Sequence, residues 1–115
     1  MRVDNIKEIL DAEILVEGSN PDIDVCTACG SDLMSDVMAY GDEKDILLTG
    51  LVNPQVIRTA EMMDIKMIVF VRGKKPDKNM MELAVDKSII LMTTRYPMFI
   101  ACGKLSSAGI RGGSV

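Results

Sequence analysis

Three stretches of the chain repeat one pattern: a short apolar run, a polar loop, then a segment whose apolar residues recur at helical spacing. In the first, "DILLTG" precedes "NPQVIRTAEMMD", where Val56, Ile57, Ala60 and Met63 fall on one helical face. Asn53 suits the N-cap of that helix and Pro54 its first turn, where a missing N–H costs nothing. In the second, "KMIVFV" reads as a buried strand, "RGKKP" as a loop and "DKNMMELAVD" as a helix pairing Met80 with Ala84 and Met81 with Val85. In the third, "SIILM" is the strand, "TTRYP" the loop and "PMFIACGKLSSAG" a helix closed near Gly109. Equivalent strand positions recur every 21 to 22 residues or about that, a spacing that suits compact βα units.

The upstream pattern is shorter but similar. "VDNIKEIL" predicts a short helix, "AEILVEG" and "DIDVCTA" two strands, and "SDLMSDVMAY" a helix that buries Leu33, Met34, Val37 and Met38. Ser31 and Asp32 supply that helix with a cap and first-turn acid. Continuous apolar strands joined through helices require a parallel sheet covered on both faces. The expected fold is therefore α/β: a single three-layer domain over residues 1–110, with a mainly parallel sheet flanked by helices. The tail "RGGSV", residues 111–115, has nothing to bury and is expected to be flexible.

Composition narrows the function. The 115 residues carry 17 acidic and 13 basic side chains, a net charge of −4, so no general field attracts nucleic acid or an anionic membrane. No stretch approaches the roughly 20 apolar residues of a membrane span, and the N-terminus has no secretory pattern, so the expected location is the cytoplasm, with reduced thiols. Histidine is absent, which excludes Ser-His and Cys-His nucleophile pairs and histidine-ligated metals.

Ligands of open parallel sheets bind beyond the carboxyl ends of the strands. The loops there carry Thr49, Gly50 and Asn53; Arg72, Gly73 and Lys74; and Thr93, Thr94 and Arg95. Hydroxyls, glycines and cations gathered at one edge of an acidic protein point to an anionic small molecule, a nucleotide or phosphate. The plain alternative is a set of solvated loops and helix-entry residues. Neither a Walker loop nor Gly-x-Gly-x-x-Gly is present, so a nucleotide would be sensed and not turned over, and no enzyme activity is expected.

Cys26 and Cys29, two residues apart, and Cys102 admit a second reading. Zinc needs four ligands and the three thiols leave one missing; an iron–sulfur cluster could use three with a carboxylate; a dithiol pair needs only Cys26 and Cys29 beside a helix N-terminus. Against these stands cysteine as a small buried apolar residue in a tight strand-to-helix turn, with no cofactor. Met34, Met38, Met63, Met80, Met81 and Met92 fall on apolar faces as core filler. Asp32 and Asp36, one helical turn apart, could hold a cation but read better as a solvated helix start.

Taken in order, "GSDLMSDVMA", "LLTGLVNPQVIRTAEMMDIKMIVFVRGKKPD" and "IILMTTRYPMFIACGKLSSAGI" resemble the DRTGG domain over residues 11–110. Such domains look like the N-terminal domain of HPr kinase and occur beside CBS domains, in long phosphotransacetylases and alone. The resemblance implies a non-catalytic, regulatory α/β module that forms a homodimer and binds a ligand. Where the family's Asp-led segment ends in two glycines, this chain runs from Asp22 through to Thr27 and Ala28, so Asp22 fits and the glycine pair does not.

Overall fold

The computed structural model describes residues 1–20, 22–40 and 44–112. The elements run α1 (Val3–Ile9), β1 (Glu13–Val16), β2 (Ala28–Gly30), α2 (Met34–Tyr40), β3 (Ile46–Thr49), α3 (Pro54–Met62), β4 (Met67–Phe70), α4 (Lys78–Asp86), β5 (Ile90–Thr93) and α5 (Met98–Ser107). One sheet has the order β1-β5-β4-β3-β2, with β2 to β5 parallel and β1 antiparallel at the far edge. This is the three-layer α/β architecture that the apolar runs require.

Strand side chains alternate between two cores. Ile46, Leu48, Met67, Val69 and Met92 face Val3 and Ile6 of α1 and Ala101 and Leu105 of α5. Leu47, Ile68, Phe70 and Leu91 face Met34 and Val37 of α2, Val56 and Ile57 of α3, and Met80 and Ala84 of α4. The caps follow the expected chemistry in the two middle helices. Asn53 Oδ1 accepts from the Gln55 N–H at 2.9 Å, and Asp77 Oδ1 accepts from the Met80 N–H at 2.8 Å.

The helix ends share a device that the sequence hid. In α1, α3, α4 and α5 the second residue past the helix is left-handed: Asp11 (φ 46°), Asp64 (φ 56°), Ser88 (φ 56°) and Gly109 (φ 106°). Each is followed by an apolar residue whose N–H returns to a carbonyl of the last turn: Ala12 to Lys7, Ile65 to Ala60, Ile89 to Ala84 and Ile110 to Leu105. These are Schellman ends. Only Gly109 carries the usual glycine, so only that end was legible in advance.

Three expectations need correction. "DIDVCTA" is not a strand. Before β2 it makes only isolated bridges, Asp24 with Arg2 and Thr27 with Arg111, because this segment is tied to α1 (Val25 N–H to the Met1 carbonyl, 2.7 Å) and its residue pairing with β3 starts at Ala28. Leu33 and Met38 are 58% and 41% exposed, since α2, seven residues long, reaches the core, among its described side chains, through Met34 and Val37. Val85 is likewise exposed. Arg111, assigned to the tail, is joined to the sheet: its N–H donates to the Cys26 carbonyl and its carbonyl accepts from Ala28, both at 2.9 Å. Residues 113–115 lie outside the described residues.

The helix ends give a stability test. A serine at φ 56° carries left-handed strain that glycine relieves. Ser88→Gly is expected to raise the urea midpoint, adding up to about 1 kcal/mol after glycine's extra unfolded-state entropy, while Gly109→Ala lowers it by about 1 kcal/mol. A lower midpoint for Ser88→Gly at unchanged m-value would contradict this account of the turns.

Candidate functional site

Parallel β3, β4 and β5 end together at Thr49, Phe70 and Thr93, and antiparallel β1 brings Glu13 to the same edge, opposite Thr93. At this carboxyl edge the structure gathers Thr49, Gly50 and Arg72 around a residue the sequence had assigned elsewhere. Asp32 does not serve the start of α2; its carboxylate turns toward β3. Oδ1 accepts from the Gly50 N–H at 2.6 Å and from Thr49 Oγ1 at 3.5 Å, and Oδ2 lies 4.0 Å from Arg72 Nη2. A Cβ at Gly50 would stand 2.6 Å from Arg72 Nη2 and 3.2 Å from Asp32 Oδ1, so a larger residue there would push the guanidinium away from its present position.

Arg72 is itself left-handed at φ 57°, followed by Gly73 at φ 69°. Few residues other than glycine adopt this conformation, and a non-glycine residue there costs about 1–3 kcal/mol unless its surroundings impose it. Here the Arg72 N–H donates to the Tyr96 carbonyl at 3.0 Å and the Gly73 N–H to the Thr94 carbonyl at 2.8 Å. The turn after β4 is thereby tied to the loop after β5, and the guanidinium is directed across the end of β3.

The other expected residues divide. Gly73, Thr93, Thr94 and Arg95, with Glu13 and Lys75, line a neighbouring cleft of about 340 Å³, in which Lys75 pairs with Glu13 at 3.4 Å. The threonine hydroxyls there are engaged by the protein. Thr93 Oγ1 donates to the Lys74 carbonyl and Thr94 Oγ1 to the Leu10 carbonyl, each at 2.6 Å. Thr94 is 1% exposed, so it fixes the loop to α1. Lys74 is exposed, and the side-chain oxygen of Asn53 is taken by the α3 cap. Asp32 and Glu13 were missed because their contribution depends on how β2 and β1 enter the sheet, which no local pattern encodes.

The opposite edge holds the larger cleft, about 770 Å³, lined among others by Cys26, Lys44, Asp45, Lys66, Lys87 and Arg111. Asp45 organises it. Oδ2 accepts from the N–H groups of Cys26 (2.8 Å) and Thr27 (3.3 Å), and Oδ1 from Lys66 Nζ (3.0 Å). Burial alone pushes the Asp45 carboxyl up, but the Cys26 N–H, the Lys66 ammonium and the Thr27 N–H together outweigh it and hold the group below the ordinary carboxylate range.

The cysteines are not arranged as a turn. Cys26 is exposed ahead of β2, Cys29 is half-buried within β2, and Cys102 is half-buried on α5. Residues 31–33 separate β2 from the start of α2. Burial raises the Cys29 thiol, with Lys44 opposing and Cys102 assisting, and burial raises Cys102 as well. Both are poorer thiolates than an unperturbed cysteine. Among the described residues, no three of cysteine, aspartate and glutamate are grouped so as to hold a metal ion. No described helix is long and apolar enough to cross a membrane.

No protein-family model matches the chain. No curated protein matches it either. Among solved structures, it is similar to the CBS and DRTGG domains of the regulatory region of Clostridium perfringens pyrophosphatase, crystallised with the activator diadenosine tetraphosphate, with a TM-score of 0.73 and 20% identity. The match covers 90% of this chain and 45% of that one, so the chain spans less than half of its structural neighbour. The fold is CBS/DRTGG-like, an α/β domain of the type found in that regulatory region.

The Asp45 contacts set a pH dependence. A carboxyl whose folded pKa is depressed contributes stability above its unfolded pKa, near 3.9, and loses that contribution as pH falls through the folded value. Asp45→Asn is expected to lower stability at pH 7 by about 1–3 kcal/mol and to flatten the fall in stability below about pH 4. Urea unfolding at pH 7, 4 and 3 checks both; an unchanged acid limb would show that Asp45 is not a main source of the acid sensitivity.

Proposed function

We propose that this chain is a regulatory, ligand-sensing domain without catalytic activity, and that its ligand is a nucleotide or similar phosphate-bearing molecule held at the carboxyl edge. The observation that carries the reading is Arg72: a non-glycine residue held left-handed, its guanidinium laid across the end of β3 beside the Gly50 amide. Strained backbone at the ligand-binding edge of an α/β sheet marks a place where side-chain direction matters. The likeness to a regulatory region crystallised with a dinucleotide activator supports the same class of ligand. Gly73, Lys75 and Arg95, in the adjoining cleft, lie where a second phosphate or a ribose could extend.

A thermal-shift panel of adenine and guanine nucleotides, with diadenosine tetraphosphate included, tests the proposal. A ligand at a hundred times its dissociation constant adds about 2.7 kcal/mol, which a domain of this size registers as several degrees. Arg72→Ala is expected to abolish the shift without changing the unliganded melting temperature by more than a degree or two. No shift with any nucleotide in the wild type would remove the reading.

We also read the chain as a homodimer. Phe99, on the first turn of α5, is 86% exposed, and Ile100 beside it is 44% exposed; large apolar side chains left bare together favour an interface. Light scattering is expected to give twice the chain mass for the wild type and the single mass for Phe99→Asp. A wild-type monomer at high micromolar concentration would contradict the dimer.

A further inference from the structure

The carboxyl edge already holds an anion, and that anion belongs to the protein. Asp32 Oδ1 takes the Gly50 N–H at 2.6 Å and Thr49 Oγ1 at 3.5 Å, while Oδ2 faces Arg72 Nη2 at 4.0 Å. A backbone amide, a hydroxyl and a guanidinium converging from the ends of two adjacent strands are the donors that a phosphate oxygen uses. Asp32 reaches them from the loop between β2 and α2, outside both strands. The pair is also open to solvent: the Asp32 and Arg72 side chains are 58% and 54% exposed, so an incoming oxyanion can reach the guanidinium and the carboxylate can leave into water, while buried Thr49 presents its hydroxyl only at the position the carboxylate now occupies. At 4.0 Å the Asp32–Arg72 contact is loose, short of a bidentate pair.

We propose that the Gly50 amide, the Thr49 hydroxyl and the Arg72 guanidinium form the seat for a ligand phosphate, and that Asp32 is an internal competitor that occupies the seat until the ligand displaces it. This rests on the functional reading above and locates its site to one strand end. The competitor sets the threshold of the sensor. Apparent affinity falls by the fraction of molecules in which the seat is empty, and displacement frees the loop that leads into α2, which is a means of passing occupancy on to the rest of a larger assembly. The alternative is that Asp32 simply braces the Gly50 loop.

The two accounts differ in the sign of one substitution. Isothermal titration with diadenosine tetraphosphate and with inorganic tripolyphosphate is made on the wild type, Asp32→Asn, Asp36→Asn and Arg72→Ala. Asp36 lies one helical turn further on, in α2, and its substitution removes the same charge outside the seat. If Asp32 fills the seat in about nine molecules of ten, Asp32→Asn is expected to bind both probes about tenfold more tightly, even though the uncharged amide oxygen is a weaker acceptor for the Gly50 N–H and lowers its melting temperature. Asp36→Asn is expected to bind like the wild type, and Arg72→Ala not at all. Equal affinity in Asp32→Asn and the wild type, with Arg72→Ala still inactive, overturns the competitor and leaves the ligand reading standing. An equal gain in Asp36→Asn also overturns it, as a general charge effect. Failure of either probe to bind any variant overturns both. Asp32→Ser, a short uncharged replacement, repeats the test should Asp32→Asn not fold.

Discussion

The central strands are buried on both faces, and the rest of the molecule follows from that. Every side chain of β3 is at most 1% exposed, and those of β4 are fully buried, so a helix layer is needed on each side of the sheet. Five helices supply it among the described residues, α1 and α5 on one face and α2, α3 and α4 on the other. With apolar side chains filling both faces, polar chemistry is displaced to the two edges where strands begin and end. A fully buried branched side chain contributes about 1.5–3 kcal/mol by its removal from water, and the polar side chains of the three central strands are confined to Thr49 and Thr93 at the last positions of β3 and β5.

The two edges are built differently. At the amino edge, Asp45 gathers the start of β2 and the Lys66 ammonium, and the helix ends of α3 and α4 arrive with Asp64 and Ser88 in left-handed turns. Its charges are largely matched within the protein: Lys66 with Asp45 and Lys87 with Glu61, each at 3.0 Å. At the carboxyl edge, Arg72 is held in a strained turn yet only loosely paired, and Lys74 and Arg95 are exposed. The larger cleft is therefore the more self-contained of the two, and the loosely paired Arg72 stands at the carboxyl edge next to the smaller one.

The fold was legible because its determinants are local or periodic. "DILLTG", "KMIVFV" and "SIILM" each place a buried strand within a residue or two, and Asn53 and Asp77 cap the helices as their types require. What was not legible depends on juxtaposition across distant segments. Asp32 reads as a helix-start acid until β2 pairs with β3 and turns its carboxylate to Gly50, and Glu13 becomes part of the edge only because β1 runs antiparallel. Cys26 and Cys29 suggested a turn because their spacing is that of one; the short β2 puts Cys29 in a strand and leaves Cys26 exposed. Asp11, Asp64 and Ser88 gave no sign of left-handed backbone, since none is glycine.

The central claim is that the carboxyl edge of β3 and β4 receives an anionic ligand. Its most direct measurement is the amide spectrum of uniformly ¹⁵N-labelled protein during titration with diadenosine tetraphosphate. The account requires saturable shifts centred on Gly50, Arg72 and Gly73, with the amides of Cys26 and Lys66 unmoved. Shifts centred on Cys26 and Lys66, or a spectrum unchanged at millimolar ligand, would contradict it.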